Sequence, residues 1–328
     1  MLISGSNGAG KTNLLEALHV GTQGFSPRTR ADAQLLYFGA TAGRVTLRGL
    51  NDTRRFEADV VLSAREPRRA RLNGESLRSV EQLRHSFRTL VFTPDRLAVV
   101  KGGPATRRAY LDRSLGRLVP ARASLPTEYT AAVGQRNAAL RRVAAGLSSR
   151  EALSPWTESV ASTGRSLVEA RRSTVELLAP RFAACAEHLG LSGAWLSYEG
   201  EPPTVGEYDR RLERDLERGA TGSGPHLHDI RIEAAARDLR SFGSQGEQRT
   251  AVLALVLAEA ETLVERTGAT PLVLLDDVLS ELDGARRRAL AELLSAGGQT
   301  VVTTTAPQAF PIEPSQSLVV APGLVRSA

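Results

Sequence analysis

One glycine-rich segment near the start of the sequence limits the possible folds more than any other feature. Residues 5–12 read Gly-Ser-Asn-Gly-Ala-Gly-Lys-Thr and fit the phosphate-binding pattern G-x-x-x-x-G-K-[ST]. The apolar stub Leu2-Ile3 precedes the segment, and a helical pattern follows it from Asn13 to about Val20, with Gly21 as a natural stop. A strand, a glycine loop and a helix in this order surround bound phosphate with backbone N–H groups and a helix N-terminus.

The residues of this segment predict an ATP site that uses Mg²⁺. Lys11 is expected to reach the β- and γ-phosphates, and Thr12 to bind the metal ion. The glycines allow the backbone to fold so that successive N–H groups point inward. The predicted ATP-binding residues are Gly5, Ser6, Asn7, Gly8, Ala9, Gly10, Lys11 and Thr12.

A pair of acidic residues far along the chain completes the predicted nucleotide chemistry. Asp276 and Asp277 follow the apolar run 271–275, which predicts a buried strand that ends in two carboxylates. In proteins with a phosphate-binding loop, a carboxylate in this position holds Mg²⁺, usually through water. We therefore expect Asp276 to be the second metal residue, and Asp277 to be the catalytic residue that orients or deprotonates the attacking water.

The order of the predicted elements indicates an α/β fold. Alternating patterns between residues 44 and 77 include the hairpin signal Asn73-Gly74, whereas residues 113–220 have helical spacing with one short strand candidate at 195–198. Apolar strands then alternate with helices again, which favours a parallel sheet covered on both faces. The sequence predicts a head of residues 1–112 and 221–328, with a parallel sheet and an antiparallel β subdomain, and a helical arm inserted at 113–220.

Positive charge is concentrated in one stretch of the sequence. The formal net charge is +6, and Lys11 and Lys101 are the only lysines, so arginine supplies almost all of the basic side chains. The stretch from Arg84 to Arg122 is strongly basic, which suits contact with the phosphate backbone of DNA. From charge alone, a solvated helix face explains the same pattern equally well. The candidate DNA-binding residues are Lys101, Arg107, Arg108 and Arg113.

Composition argues against two classes of protein. The single cysteine, Cys185, excludes a disulfide framework and fits a reducing cytoplasm, where we expect it to be a core residue. No apolar run approaches the roughly 20 residues that a membrane span needs. The sequence therefore predicts a cytoplasmic protein with no membrane segment.

Three further segments resemble the RecF family of ABC-type ATPases. Residues 94–112, from Pro94 to Asp112, resemble the segment that distinguishes this family, and residues 275–283 resemble its second signature. The sequence Thr-Gly-Ser-Gly-Pro-His at 221–226 resembles a third family segment. The resemblance covers most of the chain and implies that the α/β head is an ABC-type P-loop ATPase head.

The segment that starts at Ser244 resembles the signature of DNA-repair ABC ATPases. Ser244 can cap the long apolar helix that follows, and Gly246 allows a ligand to approach the backbone closely. The resemblance implies that Ser244, Gly246 and Glu247 contact the γ-phosphate bound to the opposite subunit, so that ATP closes a head-to-tail homodimer. It also assigns Ser280 and Asp283 to the D-loop, through which the two subunits communicate.

The RecF resemblance implies a role in recombinational repair and replication restart. It implies weak, DNA-stimulated ATP hydrolysis that releases the dimer, binding to double-stranded DNA at single-strand gaps and junctions, and help to RecO and RecR in loading RecA. Family members carry a β-hairpin before the glycine loop. In this sequence Met1 directly precedes the strand that opens at Leu2, so we expect that strand to have no strand beside it. Thr303-Thr304-Thr305 stands where most ABC ATPases place a histidine, which fits slow hydrolysis.

Functions of other classes stay open at this stage. The main alternative is the ATPase subunit of a membrane transporter, although the long helical insertion and the sequence Ser-Gln-Gly-Glu-Gln at 244–248 are not typical of one. A structural clamp needs sustained heptads, and too few residues separate Thr12 from Ser244 to supply them. A protein that binds ATP without turnover is also compatible with the absence of the histidine.

Overall fold

The computed structural model describes residues 1–29, 31–51, 54–295 and 298–328. The strands are β1 (Leu2–Ser4), β2 (Ala42–Asn51), β3 (Arg54–Ser63), β4 (Arg69–Leu72), β5 (Glu75–Ser76), β6 (Thr89–Phe92), β7 (Trp195–Glu199), β8 (Asp229–Ala234), β9 (Arg237–Asp238), β10 (Leu272–Leu275), β11 (Thr300–Thr304), β12 (Ser317–Ala321) and β13 (Leu324–Ser327). The α-helices are α1 (Lys11–Gln23), α2 (Leu83–Ser86), α3 (Ala98–Lys101), α4 (Pro104–Leu118), α5 (Leu125–Ala144), α6 (Ser154–His188), α7 (Val205–Arg210), α8 (Leu212–Arg218), α9 (Leu239–Phe242), α10 (Gln245–Thr267) and α11 (Gly284–Ser295).

The chain divides into two compact units. One unit consists of Met1–Leu97 and Leu263–Ala328, and the other consists of Ala98–Thr262. The α/β class with a parallel sheet, an antiparallel β subdomain and a helical region is confirmed. The division into a head of residues 1–112 and 221–328 and an arm of residues 113–220 stays a prediction.

A mixed sheet forms the centre of the first unit, with the strand order β13-β12-β1-β11-β10-β6. The strands from β12 to β6 run parallel, and β13 pairs antiparallel with β12. The expectation that β1 has no neighbouring strand is wrong, because β11 and β12 pair with its two edges. The edge of β1 that faces away from β11 pairs with β12, formed by residues 317–321.

The central residues of the parallel strands are apolar and pack into a core with helix α1. Ile3, Val91, Leu274 and Val301 are buried in one core with Leu15 of α1. The strands that the sequence predicts after residue 271 and at 300–304 are confirmed as the buried strands β10 and β11.

Helix α1 continues past the glycine that was expected to end it. The prediction that Gly21 stops the helix is wrong, since α1 reaches Gln23 and ends at Gly24, whose φ is 75°. Gly21 instead permits close packing, because a Cβ at this position would lie 2.4 Å from Leu47 Cδ1 of β2. The glycine therefore fixes how closely α1 approaches the antiparallel sheet.

That antiparallel sheet has the strand order β2-β3-β4-β5. The predicted hairpin at Asn73-Gly74 is confirmed, and both residues have positive φ values, 53° and 86°. Its inward face buries Ala58, Val60 and Leu62. The side chains of the outward face alternate with these along β2, β3 and β4, as the pleat requires.

The second unit is mostly helical. Helix α6 runs from Ser154 to His188 with Pro180 inside it, and it packs against α5 around Tyr129, Val160 and Leu167. A short antiparallel sheet with the strand order β7-β8-β9 completes the unit. Of these three strands, only β7 was predicted from the sequence. In the part of the chain that the structure describes, no helix is both long enough and apolar enough to cross a lipid bilayer.

The tight contact at Gly21 gives a first testable prediction. We expect Gly21→Ala to lower the free energy of unfolding by about 1–3 kcal/mol, because the added methyl group overpacks against Leu47. Gly134→Ala in α5 is the matched control, because a Cβ there meets nothing within 4 Å. The control should raise helix stability by up to about 1 kcal/mol. Urea unfolding followed by circular dichroism measures both, and a stabilising effect of Gly21→Ala would contradict the packing argument.

Candidate functional site

The glycine loop between β1 and α1 has a backbone that only glycine supplies at low cost. Gly8 and Gly10 have φ values of 78° and 104°, in the left-handed region. Gly5 approaches the neighbouring strand so closely that a Cβ would lie 2.3 Å from the carbonyl oxygen of Val320. The loop is therefore both shaped and held against the sheet by its glycines.

Lys11 lies inside this loop and not on the surface. Its side chain is 7% exposed, and Nζ donates hydrogen bonds of 2.9 Å to the carbonyl oxygens of Gly5 and Ser6. The ammonium group therefore sits at the centre of the loop, where a phosphate would meet the backbone N–H groups. Gly5, Ser6, Asn7, Gly8, Ala9 and Gly10 lie in the loop between β1 and α1, whereas Lys11 and Thr12 are the first two residues of α1, which begins two residues earlier than the sequence predicts.

A network of hydroxyl and carboxylate groups joins the start of α1 to the ends of β10 and β11. Thr12 Oγ1 donates to both oxygens of Asp276, at 3.0 and 3.1 Å. Thr303 Oγ1 donates to Asp276 Oδ1 at 2.7 Å and accepts from the backbone N–H of Asp277 at 2.9 Å. One buried hydroxyl of β11 thus positions both acidic residues.

The residues Thr12 and Asp276 fit the coordination of Mg²⁺. Magnesium takes oxygen ligands in octahedral geometry at 2.0–2.1 Å, so neighbouring ligands lie about 2.9 Å apart. The hydroxyl and carboxylate oxygens have this separation, and both belong to ligand types that Mg²⁺ prefers. The pair is therefore suited to hold the ion directly or through water.

Asp277 has the most unusual geometry of the site. Its φ is 48°, in the left-handed region, which is uncommon for a residue other than glycine. Ser280 Oγ donates to its carbonyl oxygen at 2.9 Å and to Oδ2 at 3.1 Å. Among the residues that the structure describes, Oδ1 of Asp277 is buried and accepts no hydrogen bond. A buried acceptor without a donor is costly unless a ligand or a water molecule satisfies it.

These groups line a single cleft of about 240 Å³. Its lining consists of Asn7, Gly8, Gly10, Lys11, Thr12, Asn13, Arg28, Asp276 and Asp277. Sequence reasoning missed Arg28, which follows α1 in the loop held by Ser26 and lies 3.6 Å from Glu16. An isolated arginine in a basic chain carries no recognisable signal, so only the fold identifies it.

The predicted signature residues start helix α10 in the second unit. Ser244 and Glu247 form a capping box, in which Ser244 N donates to Glu247 Oε2 at 2.7 Å and Glu247 N donates to Ser244 Oγ at 3.2 Å. Ser244 is exposed, and Gly246 is half-buried. The helix end therefore exposes the Ser244 hydroxyl, while the N–H groups of Ser244 and Glu247 are bonded inside the capping box.

The predicted D-loop residues have structural partners of their own. Ser280 contacts Asp277, as described above. Asp283 is exposed and caps α11, where Oδ1 accepts from the backbone N–H of Arg286 at 2.9 Å. This hydrogen bond, followed by the charge of Arg286, lowers the pKa of Asp283.

The four candidate DNA-binding residues differ in their surroundings. Lys101 and Arg113 are exposed. Arg107 is buried and forms a bidentate ion pair with Asp229, and Arg108 donates to the carbonyl oxygen of His228. The donors of these two arginines thus point to protein acceptors, and the DNA footprint stays a prediction.

Comparison with known proteins places this site in a family. The family of RecF/RecN/SMC N-terminal domains matches residues 1–319. The chain is 38% identical over 310 residues to the DNA replication and repair protein RecF of Moorella thermoacetica, covering 93% of this chain and 83% of the relative. It is 39% identical over 326 residues to RecF of Anaeromyxobacter dehalogenans, covering 93% and 86%.

Solved structures agree with the sequence matches. A structure described as the recombination mediator protein RecF with ATP in the RecFOR pathway covers 100% of this chain and 91% of its own, with a TM-score of 0.85 and 28% identity. The Smc head bound to the C-terminal winged helix of ScpA shares the fold, with a TM-score of 0.59 and 17% identity. The chain with this glycine loop and these two carboxylates therefore belongs to the RecF family.

Proposed function

We propose that this protein is an ATP-dependent DNA replication and repair protein with weak ATPase activity. The observation that carries the proposal is the convergence of Lys11, Thr12, Asp276 and Asp277 on one cleft in a member of the RecF family. Related RecF structures are described with ATP, which supports ATP as the nucleotide.

Each residue of the cleft has a role that follows from its position. Lys11 and the loop N–H groups bind the β- and γ-phosphates, and Thr12 and Asp276 hold Mg²⁺. The ion, when bound, neutralises charge on the phosphates. Asp277 orients the attacking water, and its buried, unsatisfied Oδ1 supports this role over simple packing. This arrangement of Asp277 also favours a protein that hydrolyses ATP over one that only binds it.

The signature residues act in the partner subunit's site. Ser244, Gly246 and Glu247 contact the γ-phosphate bound by a second copy of the chain, and Ser280 and Asp283 link the two sites. The exposed capping box supports this role, since an uncovered helix N-terminus with a hydroxyl group is an anion site. ATP then holds a head-to-tail homodimer together, and hydrolysis, stimulated by DNA, releases it.

The homodimer acts on double-stranded DNA at single-strand gaps and junctions in the cytoplasm. There it works with RecO and RecR to load RecA, in keeping with the relatives described in the RecFOR pathway. We retain residues 1–112 and 221–328 as the ATPase head and residues 113–220 as the helical arm.

The outward face of the antiparallel sheet is a second candidate surface for DNA, beside Lys101 and Arg113. Side chains that share this face through the register of β2, β3 and β4 are Arg44, Arg48, Arg55, Arg69 and Arg71, against the acidic Glu57 and Asp59. Arg44, Arg55 and Arg71 are exposed, and Arg48 pairs with Glu57 at 2.6 Å. An exposed sheet face with an excess of arginine suits the phosphate backbone.

Substitutions in the nucleotide site test the dimer proposal. Ser244→Arg should leave ATP binding to the protomer intact and abolish ATP-induced dimerisation, because bulk and charge fill the shared interface. Lys11→Ala should lose both, and Asp277→Asn should keep ATP and trap the dimer. Sedimentation with and without ATP and Mg²⁺ measures the three patterns. The control is Ser149→Arg, at another exposed serine that precedes a helical turn. Normal dimerisation of Ser244→Arg would refute the shared site.

The bridging hydroxyl of Thr303 gives a prediction about turnover. Thr303→Val keeps the volume of the side chain but removes the bonds to Asp276 and to the N–H of Asp277, so we expect kcat for ATP hydrolysis to fall about tenfold. Thr304→Val is the matched control, because its hydroxyl accepts from Ala306 N at 3.1 Å and contacts neither carboxylate. Equal kcat values for the two variants would contradict this role.

Salt dependence distinguishes the two candidate DNA surfaces. We expect Arg44, Arg55 and Arg71, changed together to glutamine, to weaken binding to duplex DNA of any sequence and to lower the salt slope by about 0.9 for each lost phosphate contact. The matched control removes the same amount of charge from another part of the chain. It changes three other exposed arginines to glutamine: Arg210, Arg214 and Arg218. A loss confined to Lys101→Gln with Arg113→Gln would assign the DNA to the other surface.

A further inference from the structure

Two stretches that resemble family segments are bridged by Arg171, which donates to Asp112 of one and to the carbonyl oxygen of Pro225 of the other. The first is the family-specific stretch 94–112, whose later part forms α4. The second is the stretch 221–226, which leads directly into β8. Neither segment contributes to the nucleotide cleft described above. Arg107 and Arg108, which the sequence suggested as DNA ligands, bond to residues 229 and 228, just after the second stretch.

Arg107 of α4 uses all of its nitrogen atoms inside the protein. Its Nε and Nη2 donate to the two carboxylate oxygens of Asp229, the first residue of β8, at 2.7 and 2.6 Å. Its Nη1 donates to the carbonyl oxygens of Gly102 at 2.8 Å and Val100 at 3.3 Å. The side chain is only 5% exposed. Such a buried fork fixes direction as well as distance.

Two more arginines hold the backbone just before Asp229. Arg108 donates to the carbonyl oxygen of His228 at 2.5 Å. Arg171 of the long helix α6 donates to the carbonyl oxygen of Pro225 at 2.7 Å, and it pairs with both oxygens of Asp112 at 2.8 and 2.9 Å. The stretch 225–229 is therefore hydrogen-bonded to both α4 and α6.

The histidine in this stretch adds no charge beside the arginines. Nδ1 of His228 lies 2.8 Å from Tyr198 Oη. Burial, followed by the charge of Arg171, lowers the pKa of His228 to about 4, so the ring is neutral at neutral pH. This is compatible with the close approach of Arg108 and Arg171.

Helix α4 also bonds to α10, the helix that follows Ser244. Glu259 of α10 is fully buried and accepts from Tyr110 at 3.2 Å, from Ser114 at 3.0 Å and from Arg117 at 2.5 Å. Helix α10 begins at Gln245, directly after Ser244. The strand β8 and the helix α10 are thus both fixed to α4, and the loop with Ser244 lies between them in the chain.

We propose that Arg107, Arg108 and Arg171 are positioning residues for Ser244, and that α4 couples the long helix α6 to the signature loop. A ligand or partner that displaces α6 would move the stretch 225–229 through Arg171, and with it β8 and the residues that lead to Ser244. This inference rests on the proposed function, in which Ser244 contacts the partner subunit's nucleotide.

The chemistry of these contacts favours positioning over simple stabilisation. A buried ion pair adds little net stability, because the attraction between the charges is largely cancelled by the cost of desolvating them. Apolar residues of equal volume often stabilise a protein equally well. Bidentate bonds from arginine to a carboxylate and to carbonyl oxygens have a directional requirement that apolar contacts lack. The pattern is therefore suited to set the place of a loop.

Hydrogen exchange tests the positioning in the ATP-free protein. Arg107→Lys keeps the charge and loses the fork, so we expect exchange to become faster at residues 239–248 and not across the whole second unit. Arg171→Lys should act on the same residues from α6. Arg150→Lys is the matched control, because Arg150 forms an exposed bidentate pair with Glu213 at 2.5 and 3.0 Å.

Dimerisation provides the second measurement. With ATP affinity unchanged, Arg107→Lys should weaken ATP-induced dimerisation about tenfold, because the lysine cannot reproduce the four hydrogen bonds of the guanidinium. Asp229→Asn should do the same, and the double variant should be no worse than either single one. Arg150→Lys should dimerise like the unaltered protein.

The outcomes separate this inference from the proposed function. Unchanged exchange in Arg107→Lys, or faster exchange across the whole second unit with a lower melting temperature, overturns the positioning role. An Arg171→Lys protein with unchanged exchange at 239–248 overturns the coupling to α6. If the unaltered protein does not dimerise with ATP, the proposed function fails, and the exchange experiment still decides whether the arginines position the loop.

Discussion

Parallel pairing of β1, β11 and β10 is the constraint on which the nucleotide site depends. Parallel strands end at the same edge of a sheet, so the glycine loop after β1, the carboxylates after β10 and the hydroxyl of Thr303 in β11 meet there. The register places Ser4 beside Thr304 and Leu275 beside Val302. A slip of one residue would turn Thr303 away from Asp276, because successive side chains point to opposite faces. The apolar core of the sheet therefore determines the chemistry of its edge.

Much of the site could be read from the sequence because its signals are local. The glycine loop, the acidic pair and the capping box at Ser244 each occupy a few consecutive residues, and the structure keeps each of them on the predicted element. The role of Thr303 was less visible. The sequence marked its position by the absence of a histidine, whereas its hydrogen bonds to Asp276 and Asp277 depend on how β10 and β11 are aligned.

Features that depend on distant contacts could not be read in this way. Gly21 resembles a helix stop in the sequence, but the reason a glycine is needed there is the close contact with Leu47 in another element. Arg107 and Asp229 are 122 residues apart, so composition could not distinguish a buried ion pair from a phosphate ligand. In a chain whose basic residues are almost all arginine, charge locates candidates, and only burial and partners separate those that face solvent from those that hold the protein together.

The place of β1 in the sheet has a consequence for how the protein is made. Met1 N donates to Thr300 O across 299 residues, and β1 lies between β11 and β12. The glycine loop is therefore synthesised before β10, β11 and β12, the strands that complete the sheet around it. Contacts of this sequence separation slow folding. Both edges of β1 are paired only once the chain includes residues 317–321.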